Sequence, residues 1–198
     1  IKFGRCQYVR RNDWQCLLKN GGGMLNNYGA HHIDQLLYLC GEKVQKMFCR
    51  TCRIASLGDA DDVVKVVLQT EQGTILDIDI NQAAAIPTPQ LMIFGQYGTA
   101  NLQNDAEGKQ EFYLKYYDPG ELPERELFDS LSAPDRKYPS EKIPWKEKHK
   151  PILPKDAIDY YAACARYFRN GDNAPVSLEE TLYIMELIDR GKKFAEQA

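Results

Sequence analysis

Between Gly21 and Asp34 the chain reads GGGMLNNYGAHHID, and this stretch holds the residue types that could do chemistry. On a helix, at about 100° per residue, Asn27, His31 and Asp34 fall within about 60° of one another, and Tyr38 continues the stripe. An imidazole whose ordinary pKa lies near 6.5 can take up and return a proton at neutral pH. Asp34, one turn on, could orient that ring or hold a substrate hydroxyl. Asn27 both donates and accepts, which suits hydroxyl recognition. His32 points away from this edge, so the spacing selects His31 for proton transfer. The three consecutive glycines allow close backbone approach to a ligand, or simply a tight turn. On spacing alone a solvated polar face, with His31 as a cap or a satisfied core residue, remains the commoner arrangement.

A helix is needed to hold that edge, and the apolar residues supply one. Ile33, Leu36, Leu37 and Cys40 recur at i, i+3, i+4 and i+7 on a different face, and Gly41 stands where a C-terminal cap belongs. Around it the pattern predicts strands over 2–11 and 44–55, then a pair over 62–70 and 74–82 joined through Glu71-Gln72-Gly73. Two more strands are expected over 90–97 and 111–117. From Asp118 to Pro154 the chain is proline-rich, charged and aperiodic, and reads as a loop. A helix over about 156–169, stopped by Gly171, precedes a last helix. That last helix opens on the capping box Ser177-Leu-Glu-Glu180, with apolar positions Leu182, Met185, Ile188 and Phe194. One early helix, at least five strands in hairpin-like succession and two late helices predict an α+β sheet protein.

The totals exclude several function classes. With 198 residues, 43% hydrophobic and 27% charged, the chain is one domain or a large piece of a two-domain protein. A net charge of -3 offers no basic footprint for nucleic acid. No apolar run approaches the roughly 20 residues that cross a bilayer, so no membrane partner is expected. Six scattered cysteines fit reduced thiols in a cytoplasmic protein. The chain opens without methionine, so upstream residues, which could include a targeting signal, are expected. Cys49-Arg-Thr-Cys52 has zinc-knuckle spacing, but on a strand residues i and i+3 face opposite ways, and core cysteines are expected instead. Asp59, Asp61 and Asp62 lack the glycine and closing glutamate of a calcium loop and read as a solvated turn, so no metal site is expected. The basic run Lys142 to Lys150 reads as exposed loop, and Tyr160, Tyr161, Tyr167 and Phe168 as core or subunit contact.

RRNDW at Arg10–Trp14, followed by GGGMLNNYGAHHIDQLLYLCGE, closely resembles a signature of the glucose–fructose oxidoreductase/inositol dehydrogenase/rhizopine-catabolism (Gfo/Idh/MocA) family. That signature runs three glycines, three residues, Asp, one residue, Gly, one residue, His, two residues, Asp. The segments GEKVQKMFCRTCRI, DDVVKVVLQTEQGTILDIDI, IFGQYGTANL and APVSLEETLYIMELID extend the likeness over nearly the whole chain.

The resemblance implies a large, mostly antiparallel open sheet with helices on one face. This is the substrate-binding and oligomerisation C-terminal domain of a two-domain oxidoreductase. The N-terminal Rossmann domain for NAD or NADP is absent from these 198 residues, since no GxGxxG follows a strand and the family's Glu-Lys-Pro motif is missing. His31 matches the family's general acid/base. Asn27 falls where the signature has an aspartate; it can bind a hydroxyl but cannot share a proton. Arg10, Asn12 and Asp34 match substrate-binding positions. The implied activity is NAD(P)-dependent oxidation or reduction at CH–OH groups of a sugar, polyol or derivative, with the isolated fragment inactive. An NAD-retaining glycoside hydrolase and a non-catalytic sugar-sensing or assembly module are the alternatives. A homodimer or homotetramer through the sheet face is expected.

Overall fold

The computed structural model describes residues 1–122, 142–153 and 157–197. Contacts divide the chain into two compact units, Ile1–Met92 with Leu153–Ala198, and Ile93–Ile152. The first unit grows from strict alternation. β3 (Val63–Thr70) and β4 (Ile75–Asn81) bury every second residue, so that Val64, Val66, Leu68, Thr70, Leu76, Ile78 and Ile80 have no exposed surface. Their antiparallel register sets Val66 opposite Ile78 and Leu68 opposite Leu76, which puts the apolar set on one face. On the other face Lys65 reaches Asp77 and, at 3.7 Å, Asp79. Gly73 at φ 90° takes the left-handed position that the connecting turn requires.

β2 (Val44–Cys52) lies antiparallel on β3, and β1 (Lys2–Cys6) lies parallel on the other side of β4, with Phe3 opposite Ile78 and Arg5 opposite Ile80. β5 (Leu91–Gly95) begins in the first unit, antiparallel to β1. The second unit carries the antiparallel strands β6 (Gly98–Asn104), β7 (Gln110–Tyr116) and β8 (Lys146–Pro151). The sheet is open, eight-stranded and mostly antiparallel, in the order β2-β3-β4-β1-β5-β6-β7-β8. The α+β architecture expected from the sequence is therefore the one observed.

α1 (Ala30–Cys40) inserts Ile33 and Leu36, both fully buried, into the core and is closed by Gly41 at φ 66°. α3 (Leu178–Gln197) rests on β2 through Ile184, Leu187, Ile188 and Gly191. A Cβ on Gly191 would stand 2.9 Å from Met47 Cε and 3.3 Å from Cys49 Sγ, so glycine sets how closely the helix approaches. Ser177 and Glu180 satisfy one another's backbone N–H groups, at 3.1 and 2.9 Å, as the capping box predicts. α2 (Tyr160–Asn170), capped by Asp159, buries none of its residues, so its aromatic residues are not core within this chain.

Three sequence expectations are corrected here. β1 stops at Cys6 instead of running to residue 11, and beyond the intervening non-strand residues Asp13 accepts from Gln15 N at 2.9 Å and caps a 3-10 turn over Trp14–Cys16. Lys146–Pro151 is an edge strand, not a loop; charged residues at an edge keep it from pairing with other chains. The rest of the loop expected over 118–154, and the start of the helix expected at 156, lie mostly outside the described residues. In α3 only Ile188 of the expected stripe is buried, while Leu182 is 59% and Met185 51% exposed. The helix carries two apolar stripes, and the one containing Gly191 meets the sheet. Replacing Leu187 by Ala is therefore expected to cost about 2–5 kcal/mol in urea unfolding. Leu182→Ala is expected to stay within about 0.5 kcal/mol, and the reverse ranking would assign the sheet to the other stripe.

Candidate functional site

The loop that carries the chemistry is sewn down from below by Gly58–Asp62. Ala60 N donates to Cys16 O at 3.0 Å, Leu18 N to Asp59 Oδ1 at 2.8 Å, Met24 N to Asp61 O at 3.1 Å and Leu25 N to Asp61 Oδ2 at 3.0 Å. Asp62, 2% exposed, accepts from Ile54 N and Ala55 N at 2.7 and 2.6 Å. The acidic triplet is thus a structural clamp and not the solvated turn its composition predicts. Burial is the main influence raising the Asp61 carboxyl above the ordinary range; the Leu25 and Met24 hydrogen bonds oppose it.

The clamp also explains two of the three glycines. A Cβ on Gly22 would lie 2.5 Å from Gln15 O and 2.7 Å from Leu17 O. On Gly23, at φ 106°, a Cβ would lie 2.3 Å from Asp61 Oδ1. No side chain fits at either position. The chain then makes a π turn over Leu25–Gly29 before α1 begins. π turns of this kind occur often at functional sites.

Phe3, Tyr28 and His32 fix the rotation of this helix. His32 is buried and stacked on Phe3, with ring centroids 4.1 Å apart, and lies parallel to Tyr28 at 6.0 Å. Arg5 sits 3.9 Å over the Tyr28 ring, and the Tyr28 hydroxyl accepts from Arg5 Nη2 and Arg11 Nη2, each at 3.0 Å. Burial, foremost, lowers the His32 pKa to about 4, with the charges of Arg5 and His31 acting in the same sense. His32 is thus a neutral packing residue.

With Tyr28 and His32 turned inward, their sequence neighbours Asn27 and His31 face outward into an open cavity of about 240 Å³. Its walls are Trp14, Gln15, the backbone of Gly21 to Gly23, Asn26, Ala30, Asn27 and His31. Asn27 Nδ2 donates to Gln15 Oε1 at 3.0 Å, and Asn26 Nδ2 to the carbonyls of Gly21 and Gly22, both at 3.1 Å. The donors so engaged orient both amides and leave Asn27 Oδ1, Asn26 Oδ1 and Gln15 Nε2 for a ligand. Among the described residues, His31 is the only titratable side chain lining the cavity.

Asn27 and His31 both line the cavity, whereas Asp34 is exposed and outside the lining. Arg10 and Asn12 are also exposed and outside it. Sequence reasoning missed Trp14, Gln15 and Asn26 as wall residues, and Tyr28 as the hub of the aromatic stack. The i, i+4 spacing of Tyr28 and His32 was the available signal for the hub. Among the described residues no group of three His, Cys, Asp or Glu side chains is placed to hold a metal ion. Cys49 is buried with its thiol pushed up to about 11, and Cys52 lies on the opposite face, so CxxC spans the strand. No helix among the described residues is long and apolar enough to cross a membrane.

The open, mostly antiparallel sheet and the helices packed on it are shared with solved structures of nearly twice this length. A family model described as the GFO/IDH/MocA C-terminal domain matches residues 2–101, and the chain belongs to that family. A sequence comparison with curated proteins finds no match. Among solved structures it is similar to an NAD-binding protein from Listeria innocua, with TM-score 0.74 and 21% identity, covering 99% of this chain and 56% of that one. The putative oxidoreductase yvaA from Bacillus subtilis gives TM-score 0.71 and 15% identity over 100% of this chain and 55% of that one. The transcriptional regulator Gal80p from Kluyveromyces lactis gives TM-score 0.63 and 13% identity over 99% and 53%. The chain spans little more than half the length of each of these structures.

The lowered pKa of His32 carries a sign that can be checked. Below about pH 6.5 the unfolded chain binds this proton and the folded chain does not until about pH 4, so stability falls as pH drops through that window. The expected loss is on the order of 1–2 kcal/mol after allowance for solvent screening. Urea unfolding at several pH values should record it, and His32→Phe should flatten the slope in that window. An unchanged slope in the variant would assign the pH dependence to other groups.

Proposed function

We propose that this chain is the substrate-binding and catalytic half of an NAD(P)-dependent oxidoreductase acting at a CH–OH group of a sugar, polyol or derivative. The observation that carries the reading is the outward-facing His31 beside Asn27 in an open cavity, with the neighbouring His32 locked away as a packing residue. His31 would take the proton from the substrate hydroxyl on oxidation and return it on reduction. Asn27, oriented by Gln15, would hold that hydroxyl through its Oδ1. Because asparagine cannot share a proton, His31 would be the proton-carrying side chain among the described residues that line the cavity. Arg10, Asn12 and Asp34 would touch only those substrate groups that project beyond the cavity.

The nicotinamide cofactor, when bound, supplies the hydride acceptor or donor. Among the described residues no Lys or Arg lines the cavity, which gives a pyrophosphate no charged side chain to pair with. The dinucleotide would be held mainly by residues outside this chain. Self-association through the open sheet face is supported by Phe48 and Ile75, 51% and 49% exposed on β2 and β4. Six free cysteines support a reducing, cytoplasmic setting. The likeness to Gal80p supports a second reading, a sugar-sensing module that does not turn its ligand over.

In the full-length protein, a panel of sugars and polyols with NAD or NADP should give NAD(P)H, and His31→Asn should lower kcat by about 100-fold or more. NAD(P)H formation at the wild-type rate in that variant would remove His31 from the chemistry. No NAD(P)H from any substrate, with ligand binding intact, would favour the sensing module.

A further inference from the structure

We infer that Trp14 is a specificity-determining residue, and that the cavity beside His31 takes one uncharged, hydroxylated ring laid flat against its indole. The inference rests on the oxidoreductase reading for the meaning of His31, but its own support is the make-up of the walls. Trp14 is 56% exposed, an uncommon position for the largest apolar side chain, and it lines the cavity. Its backbone is held, since its 3-10 turn is capped by Asp13 and its carbonyl accepts from Leu17 N at 3.1 Å. The indole is thus an apolar wall carried on an anchored turn, in a cavity whose other polar side chains are amides and one imidazole.

A ring bearing hydroxyls has apolar C–H faces and a polar rim. The indole suits the face, while Gln15 Nε2, Asn26 Oδ1 and Asn27 Oδ1 suit the rim, with donor and acceptor both represented. An acyclic polyol offers no such face and must lose more rotational freedom to bind. Charge argues the same way. A phosphate or carboxylate in the cavity would be desolvated without a cationic partner beyond His31. The nearby guanidinium groups of Arg5 and Arg11 are committed to the Tyr28 hydroxyl and do not line it. A volume of about 240 Å³ lies below the span of drug-sized ligand sites, which suits a single ring.

The test begins with binding. Trp14 and Trp145 are the two tryptophans of these 198 residues. In full-length Trp145→Phe protein the fluorescence due to Trp14, taken as the difference from the Trp14→Phe/Trp145→Phe double variant, is titrated with methyl β-glucopyranoside, myo-inositol, sorbitol, glucose 6-phosphate and nicotinamide mononucleotide. A saturable change with either neutral ring, at least about tenfold stronger than with sorbitol or the phosphate, is expected. Equal response to all, preference for the phosphate, response to the mononucleotide alone, or silence would each overturn the inference. In full-length protein, Trp14→Ala should raise KM for a ring substrate about tenfold while kcat changes less than about threefold, and Trp14→Phe should recover most of the loss. A KM left unchanged by Trp14→Ala would also overturn it. Ring binding without any NAD(P)H formation would refute the oxidoreductase reading and leave the role of Trp14 standing.

Discussion

At Gly22 and Gly23 the backbone passes through a gap that admits no side chain, against the carbonyls of Gln15 and Leu17 at the first and the Asp61 carboxylate at the second. Everything at the site follows from that passage. Asp61 holds the loop through the N–H groups of Met24 and Leu25, and the π turn starts from the geometry so imposed. Keeping a carboxylate in this place costs desolvation, seen in the raised Asp61 pKa, and the two backbone hydrogen bonds offset part of it. The expense goes into a fixed starting point for the helix that carries His31.

The second constraint is rotational. One helix bears two adjacent histidines, and adjacent residues on a helix differ by about 100° in direction, so one can be buried only if the other is turned away. The stack of Phe3, His32 and Tyr28, held by Arg5, decides which. Strand β1 supplies both Phe3 and Arg5, two residues apart and so on the same face. The strand therefore orients the helix without lining the cavity itself.

Much of the fold was legible because alternation in Val63–Thr70 and Ile75–Asn81 and the Ser177–Glu180 cap are local signals. His31 and Asn27 were legible for the same reason, since helical spacing places them together. What failed depended on contacts between distant segments. Asp61 and Asp62 look like a hydrated turn until Leu25 and Ile54 are brought to them from elsewhere in the chain. Leu182 and Leu187 are equally apolar, and only the close approach permitted at Gly191 selects the face that meets the sheet. Asp34, one turn beyond His31 on α1, is exposed outside the cavity lining, a placement that spacing along one helix does not reveal.

Fold does not choose between an enzyme and a regulator here, because the same architecture is found in structures called oxidoreductases and in the regulator Gal80p. The choice falls to the side chains at the cavity. A pure binding site needs complementary donors and acceptors, and Gln15, Asn26 and Asn27 already provide them without a titratable group. The outward imidazole adds a side chain that recognition alone does not require, and the proposed oxidoreductase reading rests on it. Burying its neighbour His32 in the stack removes the competing base from the same helix. Under the proposed function, one imidazole faces the cavity while its neighbour is held neutral in the stack, a division that a site built only to bind its ligand does not require.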